Sequence, residues 1–293
     1  MGTTREERRA GVDYLDAVTA LLRRNRRLHP TMGLFEAAEL QFQWGVKRAT
    51  DDLGQLFWFD ELGRPEAAAI INSFSRWIQF DPIVLPGATP DRVAHVIGRG
   101  LAHADESGFD TVRLEVDRDD DASRDVLVER GFAIEEDGQI ETWLAADARP
   151  DVSPLHDDYR LASRLETSTH PHHMAKRGGP DVEQRFHQTS LYRADLDLVV
   201  LDREGAHAAN GLFWYDPELA IGVVEPMRTE DDHRRRGLAR RILTAGIDRL
   251  VEAGATRIKI CFEPENVAAR RLYLDVGFVP VKQTDVYAGP TSG

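Results

Sequence analysis

The run Arg234-Arg235-Arg236-Gly237-Leu238-Ala239 sets three cations beside two small residues, where an apolar, strand-like stretch gives way to an amphipathic helical pattern. A helix N-terminus exposes N–H groups with no partner inside the helix, and the aligned peptide dipoles add partial positive charge there. An anion can settle on that end if no Cβ blocks its approach, a clearance that Gly237 and Ala239 supply. The spacing Arg-x-x-Gly-x-Ala therefore points to a main-chain cradle for a pyrophosphate. Taken alone, the same arginines also fit the solvated start of a helix.

A second segment, ENVAARRLYLDVGF at 265–278, follows one strand later. Together the two segments resemble the GNAT superfamily of acyl-CoA-dependent N-acyltransferases, closely over residues 196–288 and loosely elsewhere. The resemblance implies acetyl-CoA as cofactor, its pyrophosphate held by Arg234, Arg235, Arg236, Gly237, Leu238, Ala239 and Arg240. It places the pantetheine arm along the main chain of Met227, Arg228 and Thr229, with further contacts from Asn266, Ala269, Arg270 and Tyr273.

The implied reaction moves an acetyl group to a primary amine of a small molecule, peptide or protein. Its catalytic pair would be Glu225 as base and Tyr273 as acid, since a phenol with a reference pKa near ~10 is protonated at neutral pH. Each residue also has a structural reading: Asn266 as a helix N-cap, Tyr273 as a packed aromatic, Glu225 as the buried partner of an arginine such as Arg228. An acyl-CoA sensor without catalysis is the alternative from another class. A narrower enzymatic alternative comes from the paired domains and the ending TDVYAG, which resemble mycothiol synthases and imply a cysteinyl amine as acceptor.

Around these residues the pattern predicts antiparallel strands at 196–201, 209–215 and 220–227, a helix closed by Gly254, a strand at 257–262, and a helix from about Asn266 lined by Ala268, Leu272 and Val276. The chain also repeats itself. Gly131-Phe132 and Gly277-Phe278 stand 146 apart, as do Gly108 and Gly254, so that DDASRDVLVERGF lies over NVAARRLYLDVGF without a gap. A period of this length indicates duplicated domains. The expected fold is α/β (α+β): two tandem GNAT-like domains, each a mixed, mostly antiparallel sheet flanked by helices. The expected boundaries are 1–148 and 149–293, with a linker at 145–154. In the first copy, helical patterns at 14–22 and 34–46 precede strands at 55–59, 67–71 and 77–80. At the offset of 146 that copy carries Ala88, Pro90, Asp91, Asp120 and Leu127 where the second carries Arg234, Arg236, Gly237, Asn266 and Tyr273. Pro90 lacks an N–H and Asp91 would repel an anion, so the first domain is expected not to bind coenzyme A in the usual way.

Lys plus Arg total 37 against 50 Asp plus Glu, a net charge of −13 that argues against nucleic acid and anionic lipid as partners. No apolar run approaches the ~18 residues of a membrane span, and a cytoplasmic location is expected. The one cysteine, Cys261, excludes an internal disulfide and reads as a small core residue. His170, His172 and His173 invite a metal, but with no helical spacing and no Cys nearby they are read as a solvated loop with no metal site. The run Arg118-Asp119-Asp120-Asp121 lacks the Gly and Glu of a calcium loop and is read as a turn.

Overall fold

A computed structural model describes residues 4–292. The chain runs β1 (Arg5–Arg9), α1 (Gly11–Leu28), α2 (Ala37–Trp44), β2 (Gln55–Phe59), β3 (Pro65–Ser73), β4 (Ile78–Val84), α3 (Pro90–Glu106), β5 (Thr111–Asp117), α4 (Asp121–Glu129) and β6 (Ala133–Ala145). It continues with β7 (Tyr159–Ser163), three short helices α5 (Arg164–Thr167), α6 (Ala175–Gly178) and α7 (Val182–Phe186), then β8 (Asp197–Asp202), β9 (His207–Asp216), β10 (Ile221–Thr229), α8 (Leu238–Glu252), β11 (Arg257–Phe262), α9 (Val267–Val276) and β12 (Val279–Pro290). None of these helices is long and apolar enough to cross a membrane.

Two compact units share one plan. The first comprises Met1–Leu40, Arg48–Ile140 and Lys282–Gly293; the second comprises Gln41–Lys47 and Glu141–Val281. In the first unit the strand order is β1-β2-β3-β4-β5-β12, antiparallel except where β4 meets β5. In the second it is β7-β8-β9-β10-β11-β6, antiparallel through β10 and parallel where β10 meets β11. Each parallel pair is joined by one crossover helix, α3 or α8, which places that helix's N-terminus at the C-terminal edge of the preceding strand, where open α/β sheets bind ligands.

The units exchange segments that the sequence repeat does not encode. The chain's last strand completes the first unit, its residues 284–290 pairing antiparallel with β5. From Glu141 onward β6 belongs to the second unit, where the Thr142 hydroxyl donates to the Ile260 carbonyl (2.7 Å). The end of α2 and the turn after it also belong to the second unit. There Leu191 N–H donates to Gln41 Oε1 (2.9 Å), Trp44 Nε1 donates to Gln188 (2.9 Å), and the Phe42 ring lies 6.4 Å from both Phe186 and Trp214.

Helix α8 owes its seat to two glycines. A Cβ on Gly246 would lie 2.1 Å from the Phe213 ring, and one on Gly211 would lie 2.7 Å from Ile242. Without those side chains α8 presses Ile242, Leu243, Ile247 and Leu250 onto the sheet, all of them fully buried. That close approach fixes where its N-terminus opens.

Candidate active site

Strand β10 ends at Thr229, a short 3-10 turn spans Asp231–His233, and α8 starts after Gly237. Gly237 is the N-cap, left-handed at φ 77° and contributing no side-chain cap; Arg235 is also left-handed, at φ 62°. The first turn is therefore bare. Arg241 N–H bonds the Gly237 carbonyl (3.0 Å), but no acceptor among the described residues meets the N–H groups of Arg235 through Arg240. Leu238 is buried and presents only its main chain, whereas Arg234, Arg235, Arg236 and Gly237 are exposed.

The arginines divide. Arg234 pairs with Asp231 (2.8 Å), Arg236 donates to the Tyr159 hydroxyl (2.9 Å) and the Asp232 carbonyl (3.3 Å), and Arg240 reaches the Asp275 carbonyl (3.5 Å). The Arg235 guanidinium has no partner among the described residues.

Beside this cradle the sheet splays. β10 pairs with β11 through Ile221, Gly222 and Val223, while its pairing with β9 shifts register between Val224 and Met227 and then runs on to Thr229. Trp214 Nε1 donates to the Glu225 carbonyl (2.7 Å) and pins that irregularity. Met227, Arg228 and Thr229 thus form a strand edge turned away from β11, with Arg228 paired to Glu230 (3.3 Å).

Helix α9 faces the other side of the splay. Asn266 is its N-cap, accepting from Ala269 N–H (3.1 Å), and Gly277 closes it at φ 110°. Its buried side carries Tyr273 and Val276, with Leu272 half-buried; Ala268, expected on the apolar line, is exposed, because Tyr273 takes the inward position. The Tyr273 ring packs against Phe262 (6.0 Å) and Phe278 (6.3 Å). Burial pushes its phenol up to about 12, helped by Cys261, Glu263 and Glu225, so these four side chains share one neighbourhood. Ala269 is half-buried and Arg270 exposed.

The first unit shows what the same plan looks like with its cradle closed. Helix α3 is capped by the Thr89 side chain, which accepts from Arg92 N–H (3.3 Å), and Pro90 follows in its first turn. Asp120 caps α4 by accepting from Ser123 N–H (3.1 Å), as Asn266 caps α9, while Leu127 is fully buried where Tyr273 stands in the second copy. The pair Asp81-Pro82 on β4, which the helix-aligned repeat does not reveal, is the counterpart of Glu225-Pro226 on β10. Burial pushes the Asp81 carboxyl up to about 7, Glu115 adding to the shift and a hydrogen bond from Gln79 and the charge of Arg48 opposing it.

The histidine run departs from the solvated loop expected of it. His170 is exposed, but His172 and His173 turn inward onto Asp197, which is fully buried. Met174 N–H donates to His172 Nδ1 (3.1 Å), so the ring proton sits on Nε2, which donates to Asp197 Oδ2 (2.8 Å). The Tyr192 hydroxyl donates to the same oxygen (2.8 Å), and His173 Nε2 lies 3.4 Å from Oδ1. His172, His173 and Asp197 crowd closely enough to suggest a metal triad. A neutral imidazole that already accepts at Nδ1, however, has no lone pair left on Nε2 for an ion. The attraction that pulls these histidines inward comes from a carboxylate 25 residues downstream of His172, which no local pattern reveals.

The sheet plan is built twice in one chain, and in the second copy a bare helix N-terminus opens beside a splayed strand. Residues 157–278 match the acetyltransferase (GNAT) family. A mycothiol acetyltransferase of Corynebacterium aurimucosum is 32% identical over 161 residues, covering 51% of each chain. Another, of Beutenbergia cavernae, is 32% identical over 111 residues, covering 38% of this chain and 37% of the other. The chain thus spans about half the length or less of the curated relatives it matches. A tandem GNAT protein from the clavulanic acid biosynthesis pathway superposes with a TM-score of 0.72, 99% of both chains covered at 12% identity. A GCN5-related N-acetyltransferase from Sphaerobacter thermophilus gives 0.60 at 12% identity, with 99% and 96% covered. Residues 157–278 thus match the GNAT family, and the whole chain has the fold of a tandem GNAT protein.

Proposed function

We propose that the second unit is an N-acetyltransferase that moves an acetyl group from acetyl-CoA to a primary amine. The observation that carries the reading is the bare, positively charged start of α8: unpaired N–H groups from Arg235 to Arg240 beside an unpartnered Arg235 guanidinium. A diphosphate supplies the acceptors that such a surface lacks. The strand edge at Met227, Arg228 and Thr229 would hold the pantetheine arm through main-chain hydrogen bonds, with Glu225 and Tyr273 available to the thioester.

The amine nitrogen attacks the thioester carbonyl carbon, the C–N bond forms, the C–S bond breaks with its electron pair on sulfur, and the second proton shed by the nitrogen ends on that sulfur, giving an amide and a thiol. Glu225, directly or through water, takes the proton that the ammonium must lose before it can attack. Tyr273 donates a hydrogen bond to the departing sulfur. With its phenol at about 12, full proton transfer to a thiolate whose acid has a pKa of ~8.5 is uphill, so the hydrogen bond carries the stabilisation. Holding donor and amine side by side supplies roughly 7–11 kcal/mol of the barrier.

The matches to two mycothiol acetyltransferases favour a narrower reading, in which the acceptor is the amine of a cysteinyl conjugate. The test is a thiol-release screen with acetyl-CoA across diverse amines, cysteinyl amines among them. Release stimulated by an amine and lost in Gly237→Asp supports the transferase. Cofactor binding without amine-stimulated release assigns the site to sensing instead.

A further inference from the structure

The cofactor loop is held from outside by one hydroxyl. Tyr159 starts β7, where it pairs with Asp202 in β8, and its side chain reaches the loop between β10 and α8. A guanidinium only donates, so Arg236 Nη1 gives its proton to the Tyr159 oxygen (2.9 Å). The Tyr159 proton is then directed to His233 Nδ1 (3.1 Å), and the two rings meet edge to face with centroids 5.8 Å apart. An oxygen that accepts from a cation is a better donor, so the two bonds reinforce each other. The Arg236 fork is completed by the Asp232 carbonyl (3.3 Å). Tyr159 thereby ties the turn at His233 to the residue just before Gly237, across the stretch in which Arg235 holds φ 62°. A left-handed non-glycine residue persists where its surroundings over-determine it.

We propose that Tyr159 is a positioning residue for the cofactor: it locks Arg236 and His233 so that the loop's amides stay aimed at the diphosphate, and Arg235 alone of the three arginines meets phosphate charge. Arg236 is consumed as a strut and Arg234 is tied to Asp231. The inference rests on the acyl-CoA reading above.

Tyr159→Phe keeps the ring and removes the hydroxyl. Losing a bond to a charged group that orders the loop is expected to weaken CoA about tenfold in calorimetry. In turnover the KM for acetyl-CoA rises by a similar factor and kcat stays within about twofold, whereas acetyl-pantetheine, which lacks the diphosphate, is used as by the wild type. Arg236→Gln should weaken CoA by the same factor, and the double variant no further than either single one, because both break one unit. Arg235→Gln should flatten the salt dependence of CoA binding, and Arg234→Gln should leave it unchanged. Equal effects on both donors, additive single variants, or Tyr159→Phe binding CoA as the wild type does would overturn the clamp while the cofactor reading stands. A wild-type protein giving no heat with CoA would remove both.

Discussion

Replacing Gly237 with Asp probes the cradle through two separable effects. The residue caps α8 at φ 77°, and a Cβ there would meet nothing within 4 Å, so the steric consequence is confined to the backbone. Holding an L-residue in that region costs about 1–2 kcal/mol, which Gly237→Ala alone reports. Asp adds a negative charge beside the bound diphosphate. At a separation of ~5 Å each pair of unit charges repels by ~3 kcal/mol at an effective dielectric of ~20 and by ~1 kcal/mol in water. The loop is exposed, so the lower part of that range applies: Asp should weaken CoA by roughly 10- to 100-fold beyond Ala. Calorimetric titration with CoA at low salt measures the gap, and repeating it at 1 M salt, where the Debye length falls to ~3 Å, should shrink it. Asp and Ala variants that bind CoA equally well at low salt, or a gap indifferent to salt, would refute the placement of the diphosphate at this helix end.

Tyr273→Phe should lower kcat about 10- to 100-fold with CoA affinity unchanged, because ring packing survives and only the hydroxyl is lost; steady-state kinetics with an accepted amine checks this, and an unchanged kcat removes the assigned role. Since that phenol is pushed up to about 12, any alkaline fall in kcat below pH 10 should persist in the Phe variant. Gly246→Ala gains helix propensity yet should destabilise the fold by at least about 1–3 kcal/mol in urea unfolding, because the new methyl would lie 2.1 Å from the Phe213 ring; a more stable variant would show that α8 is not seated as described. Asp81 binds its proton more tightly folded, at about 7, than unfolded, near 3.8, so its contribution is full below the lower value and is lost as pH rises to the upper one, a change of about 4 kcal/mol. Asp81→Asn should therefore gain stability relative to wild type between pH 4 and pH 7; parallel curves for the two proteins would contradict the burial of that carboxyl.

Local chemistry was legible wherever a short stretch carries its own signal. The apolar run at Gln55–Phe59, the alternation at Arg257–Phe262, Gly254 closing the helix before it, and Asn266 as a helix cap can all be read from sequence. The missing parts depend on partners far along the chain. His172 and His173 lie in polar, loop-like sequence and are buried only because Asp197 waits inside. The Tyr159 hydroxyl meets Arg236 across 77 residues, and β12 joins β5 rather than the strands of its own half. Asp81-Pro82 stands 144 residues before Glu225-Pro226, not the 146 that aligns the helices, so the helix register of the repeat does not bring the two pairs together.

The most direct test follows the backbone amides of 15N-labelled protein as CoA is added. The N–H resonances of Arg235 through Arg240 should move together and saturate at one equivalent, with those of Met227 and Thr229 following. Perturbations confined to other residues, or none at millimolar CoA, would contradict the claim that the start of α8 holds the diphosphate.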